Sequence, residues 1–147
     1  RALGFSVQLD TNGYQPEILE ALLREALLDY VAMDLKNCRE KYPETVGIPN
    51  FDLSPIEKSI QLLKNSGIEY EFRTTVAEQL HDEASIQQMG QWVGTLAKKQ
   101  KIKRWFVQPF VDRDTVLYAG FQAPNEQQMS NFVGILEAFS AHSAIRG

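Results

Sequence analysis

The chain has 147 residues, 44% of them apolar, enough for one domain with a core or for a piece of a larger one. Its formal charge of −4 gives no basic footprint for nucleic acid, and no apolar run approaches the roughly 20 residues of a membrane span. A single cysteine, Cys38, excludes an intrachain disulfide and a thiolate cluster built by this chain alone, and it fits a reducing, cytoplasmic setting.

The chain opens on Arg1 without a methionine and enters a strand almost at once, as an internal start or a trimmed terminus would. The first strand is expected over residues 5–9, running into SVQLDTNG at 6–13. Strand side chains alternate between faces, so Phe5, Val7 and Leu9 share one face and Ser6, Gln8 and Asp10 the other. Pro16 then suits a first helical turn, and Ile18, Leu19, Leu22, Leu23, Ala26 and Leu27 recur at helical spacing. In the second strand, YVAMDLK at 30–36, Val31, Met33 and Leu35 oppose Ala32, Asp34 and Lys36. An insertion over 37–53, punctuated by Pro43, Gly47 and Pro49, leads to the next helix. There SPIE at 54–57 reads as a capping box with proline in the first turn, and Gly67 as the stop.

The third strand, YEFRTT at 70–75, sets Tyr70 and Phe72 against Glu71, Arg73 and Thr75. A helix starting near Asp82 carries Ile86, Met89, Val93 and Leu96. The fourth strand, WFVQPF at 105–110, ends on Gln108 because Pro109 cannot donate to a ladder. A second insertion over 112–124 precedes a helix from about Asn125, and residues 143–146 form a short last strand.

Strict β-α alternation argues an α/β chain of parallel strands. A doubly wound sheet would show continuous apolar strands, whereas these alternate. A closed eight-stranded barrel could not stack Gln8, Asp10, Asp34, Lys36, Glu71 and Arg73 in its apolar interior. A partial (βα) barrel with a hydrated pocket accommodates them. The repeated charges on one face are the pattern of a sheet that receives a polar ligand, and both insertions leave carboxyl ends of strands, where such folds place their chemistry.

LDTNG at 9–13, DYVAMDLK at 29–36, VG at 46–47, YEFRTTV at 70–76 and VQPF at 107–110 together resemble the later part of the radical S-adenosylmethionine (SAM) activating enzymes. The likeness is greatest to anaerobic ribonucleoside-triphosphate reductase activating proteins, then to pyruvate formate-lyase activating enzymes. It implies an open barrel of six β-α units, of which residues 1–147 supply the third to sixth strands and the tail. The family's CxxxCxxC loop, which binds a 4Fe-4S cluster, and its glycine-glycine-glutamate segment are not in this sequence. The resemblance therefore implies a carboxyl-terminal portion, inactive by itself, of an enzyme that cleaves SAM to a 5′-deoxyadenosyl radical. That radical would abstract hydrogen from a glycine of a partner glycyl-radical enzyme, with flavodoxin or ferredoxin as electron donor.

By resemblance the SAM-binding residues are Asp10, Thr11, Asp34, Lys36, Arg73 and Gln108. Asp10 and Asp34 flank the SAM carboxylate with a monovalent cation, assisted by Thr11 and the carbonyl of Ala32. Lys36 contacts the carboxylate, Arg73 contacts SAM or the substrate backbone, and Gln108 lies near the adenine. Structural alternatives stand beside each: a helix cap for Asp10, a salt bridge to an aspartate for Lys36, and a buried pair with Glu71 for Arg73. His81 reads as a surface or capping histidine, Cys38 as inert, and Trp92 and Trp105 as helix-to-sheet packing. Glu78 and Gln79 replace the family's proline-glycine. Two rival functions remain: a non-catalytic half barrel that binds a nucleotide-like ligand or an assembly partner, and a phosphosugar barrel enzyme. The second lacks a glycine-rich phosphate turn, Gly120 being the only nearby glycine. A severed barrel also leaves an unpaired edge at its first strand, through which self-association is expected.

Overall fold

The structure is a computed structural model that describes residues 3–113, 116 and 119–147. Its elements are β1 (Gln8–Thr11), α1 (Pro16–Arg24), β2 (Tyr30–Asp34), α2 (Tyr42–Val46) and α3 (Ser54–Ser66). They continue with β3 (Glu69–Val76), α4 (Glu83–Leu96), β4 (Trp105–Pro109), α5 (Glu126–Leu136) and β5 (Ser143–Ile145). The expected insertion at 112–124 and the opening Arg1 fall partly or wholly outside the described residues.

The five strands form one sheet in the order β1-β2-β3-β4-β5, every pair parallel. Sequential order means that each right-handed crossover steps the same way, so the helices collect on one face. The other face is left to a barrel interior. This is the α/β class and partial (βα) barrel that strand alternation predicts, with β1 and β5 as its two edges.

The core lies between sheet and helices. Val31, Met33 and Leu35 of the β2 segment, Tyr70 and Phe72 of β3, and Trp105 and Val107 of β4 are buried there against Ile56, Ile60, Leu63, Ile86, Met89, Val93, Phe132 and Leu136. Each such side chain contributes about 1.5–3 kcal/mol on leaving water. The indole of Trp105 donates to Thr74 Oγ1 at 3.1 Å, so that buried threonine hydroxyl is paired.

Local readings needed adjustment in four places. The first strand starts later than expected: Val7 is tied to the β2 entry, its carbonyl accepting from the N–H groups of Asp29 and Tyr30 and its N–H donating to Asp29 Oδ2. Phe5 and Ser6 upstream are exposed and add no rung. The insertion over 37–53 contains α2, with Pro43 in its first turn and Gly47 as its left-handed cap at φ 70°. Ser54 does not cap α3; Asp52 accepts from its N–H and hydroxyl at 3.0 and 2.7 Å, while Glu57 pairs with Arg39 and Trp92. The last strand is one residue shorter than expected. The starts of α4 and α5 hold as read, each with a reciprocal capping box, Asp82 with Ser85 and Asn125 with Gln128.

Candidate functional site

Parallel register sets the polar face. Asp34 pairs with Arg73, and Asp10 pairs with Ala32 two residues earlier on β2. Ala32 offers only a methyl group, which leaves room for the Arg73 guanidinium to pass over β2. It reaches both acids: Nε lies 3.2 Å from Asp34 Oδ1, and Nη1 lies 3.2 Å from Asp10 Oδ2. Lys36 Nζ takes the other Asp34 oxygen at 3.1 Å. Four charged groups from three adjacent strands thus meet at the carboxyl ends of those strands.

Asp10 also accepts from Gln8 Nε2 at 2.7 Å. That bond, followed by the charge of Arg73, holds its carboxyl below the usual range against an opposing cost of desolvation. Asp10 does not cap a helix; α1 is preceded by Gln15.

The backbone of Lys36 is fixed by buried groups. His81 is buried, and its Nε2 lies 2.8 Å from the Lys36 carbonyl while its Nδ1 lies 3.2 Å from the Ala77 N–H. A carbonyl only accepts and that N–H only donates, so these partners fit a neutral ring protonated on Nε2. Burial pushes the His81 pKa down, against the backbone hydrogen bonds. His81 is therefore not the surface residue that its sequence position suggested. Tyr42 also bonds to the Lys36 backbone, and burial pushes its phenol up to about 12. Asn37 closes the corner, donating to Thr45 Oγ1 and the Leu80 carbonyl, both at 2.9 Å.

Thr11 stands on the opposite face from Asp10, paired in register with Met33. Its hydroxyl accepts from Gly13 N–H at 3.0 Å in the turn that leaves β1. Gly13 has φ 75°, and a Cβ there would lie 2.1 Å from the Met33 methyl carbon, so the turn needs glycine. Gln108 lies on β4 beside Thr75 and lines a recess of about 400 Å³ with Arg113 and Arg146. Asp10, Asp34, Lys36 and Arg73 are brought together; Gln108 is on the same face two strands from Asp34, and Thr11 is not on it.

Glu71 does not pair with Arg73. Its buried carboxylate accepts from the Tyr30 hydroxyl at 2.6 Å and from both terminal nitrogens of Arg146. The Arg146 guanidinium lies 3.6 Å from the centre of the Phe106 ring. Sequence reasoning missed this cluster; alternation carried one step further along β5 would have placed Arg146 on the inner face.

Among the described residues no group of three or more His, Cys, Asp or Glu could hold a metal ion. Cys38 is buried, and desolvation raises its thiol pKa. One such thiol does not fit an iron–sulfur cluster, which takes several thiolates. The set that is present, two carboxylates with a guanidinium and an ammonium, fits a small zwitterion or a ligand carboxylate. Among the described residues no helix is long and apolar enough to cross a membrane.

No family model matches the sequence. The chain is 38% identical over 93 residues, 61% of its length, to a Methanocaldococcus jannaschii protein that carries the provisional name glycyl-radical enzyme activating enzyme. It spans 39% of that relative's length. The fold matches the crystal structure of a domain of pyruvate-formate lyase-activating enzyme from Bacteroides vulgatus, with a TM-score of 0.76 and 19% identity over 99% of this chain and 84% of that one. The first likeness is to a protein whose given name agrees with the family that the sequence motifs resemble, and the second shows a shared fold.

Proposed function

We propose that this chain is the carboxyl-terminal, SAM-holding portion of a radical SAM enzyme that activates a glycyl-radical enzyme. The observation that carries this reading is the meeting of Asp10, Asp34, Lys36 and Arg73 on one face. Lys36 would hold the SAM carboxylate as a point charge. Asp10 and Asp34 would hold a monovalent cation or the SAM ammonium once Arg73 turns toward the ligand or the substrate backbone. Gln108 would offer both a donor and an acceptor to the adenine, and Thr11 would contribute to the cation through its backbone. Bound SAM supplies the radical chemistry; these residues orient it and keep its charges compensated. The 4Fe-4S cluster would come from a preceding segment. The reading extends to an anaerobic ribonucleotide reductase as the partner, to flavodoxin or ferredoxin as the reductant, and to the cytoplasm as the compartment.

The test is to extend the chain with the coding sequence upstream of residue 1 and reconstitute it with iron and sulfide. Under reduction the extended protein should release 5′-deoxyadenosine from SAM, and Asp34→Asn should suppress this. A reconstituted protein that leaves SAM intact, or an upstream segment without CxxxCxxC, would overturn the assignment. A non-catalytic half barrel that binds a nucleotide-like ligand is the second reading. It too expects no cluster cysteines in this portion, where Cys38 is a lone buried thiol, so the same upstream segment decides between the two readings.

A further inference from the structure

Three acids border one arginine on the inner face of the sheet. Asp10, Ala32 and Glu71 stand in one row across β1, β2 and β3, and Asp34, Arg73 and Phe106 stand in the next row across β2, β3 and β4. Glu71 and Arg73 are two residues apart on β3, so their side chains leave the sheet on the same side. The Arg73 guanidinium reaches Asp10 over the Ala32 methyl, and Ala32 is the register partner of Asp10 on one side and Glu71 on the other. Glu71 therefore flanks the path of that guanidinium, and it is buried where Asp10 is exposed, so an unshared charge on it is the more costly. It nevertheless makes no bond to Arg73. Both of its oxygens are taken: Oε1 by Arg146 Nη1, and Oε2 by Arg146 Nη2 at 3.1 Å and the Tyr30 hydroxyl at 2.6 Å. Arg146 is steadied in turn by the ring of Phe106, the register partner of Arg73.

We propose that Arg146 is a positioning residue for the polar face: by holding both oxygens of Glu71, it keeps Glu71 from drawing Arg73 away from Asp10 and Asp34. A two-pronged guanidinium–carboxylate bond is stronger than two single contacts spread over separate acids. A Glu71 released by Arg146 takes the next guanidinium within reach, which is that of Arg73. With Arg146 in place the face carries three bases, Lys36, Arg73 and Arg146, against the three acids, and each base has an acid to itself or shares Asp34. Once Arg73 moves to Glu71, Asp10 and Asp34 lose their shared counter-charge and repel a ligand carboxylate beside them. That this last step weakens SAM rests on the activase reading; the place of Arg73 rests on register alone. The Arg146 N–H donates to the Val107 carbonyl at 2.9 Å, so the backbone ties the tail to β4 independently of the side chain.

The test follows the Arg73 Nε–H resonance by NMR in the ¹⁵N-labelled chain, assigned by its loss in Arg73→Lys. Arg146→Met should displace this resonance from its wild-type position, and adding Glu71→Gln in the same chain should return it, because the competing charge is then gone. Arg146→Lys, whose single ammonium cannot span both Glu71 oxygens, should give a smaller displacement and keeps the test open should the methionine variant not fold. Parallel calorimetric titrations with SAM should show binding about fivefold weaker in Arg146→Met, the equivalent of one partly exposed ion pair, and restored in the double variant. A resonance that Arg146→Met and Arg146→Lys leave in place overturns the proposal. So does a displacement that Glu71→Gln fails to reverse, because Arg146 then acts through the packing of β5. A resonance that is displaced and restored, with no SAM taken up by wild type or variants, sustains the role of Arg146 and counts against the activase reading instead.

Discussion

Arg73 of β3 and Asp10 of β1 meet at 3.2 Å across the intervening strand, although 63 residues separate them in the chain. The contact exists because Ala32 lies between them and because Asp34, one strand nearer, takes the Nε of the same guanidinium. One arginine therefore holds two carboxylates that would otherwise repel.

Arg73→Met removes that shared counter-charge. The pair is partly exposed, so the cost at neutral pH should be about 1 kcal/mol. The folded Asp10 pKa is lowered, so its contribution is present above the ordinary value near about 3.9 and is lost as the pH falls through the folded value. Denaturant titrations should show the difference between wild type and variant shrinking in acid. A gap independent of pH would mean that Arg73 acts through packing.

His81 has its pKa lowered by burial, so the unfolded chain binds a proton that the folded chain refuses. Stability should be full above about pH 6.5 and fall as the pH drops from there toward the folded value. His81→Gln keeps a donor for the Lys36 carbonyl and should erase this part of the pH profile, whereas His81→Phe should also loosen Lys36. Amide hydrogen exchange at residues 36–38 reads the second effect. Equal exchange in the two variants would show that the His81–Lys36 bond does not hold that corner.

Glu71 is 3% exposed and depends on Arg146 and Tyr30 for compensation. Arg146→Met leaves that carboxylate short of its cation and should cost about 3 kcal/mol. Adding Glu71→Gln should recover part of the loss. Additive losses in the double variant would show that the pair is not coupled.

β1 is hydrogen-bonded on one side only, and Leu3 and Phe5 beside it are 83% and 73% exposed. Such an edge invites pairing. Sedimentation should show concentration-dependent association, reduced by Phe5→Lys. A monomer at high concentration would remove the edge from the account.

The faces of the strands were legible because alternation is a local rule, and Asp10, Asp34, Lys36 and Arg73 were placed on the inner side by it. Their partners were not legible, because they depend on register. Arg73 fell to the aspartates, and Glu71 to Arg146, 75 residues away. α2 was hidden because Pro43 and Gly47 read as breakers, whereas here they start and stop a five-residue helix. His81 was misplaced because one histidine before a helix cap carries no period; only packing shows that its ring fills the space between Ala77 and Lys36.

Calorimetric titration of this chain with SAM, comparing wild type with Asp34→Asn and Lys36→Met, bears most directly on the polar face. The account expects saturable heat from the wild type and about tenfold or greater weakening in each variant, as loss of a hydrogen bond to a charged group entails. A wild type that takes up no SAM, or variants that bind it equally well, would contradict it.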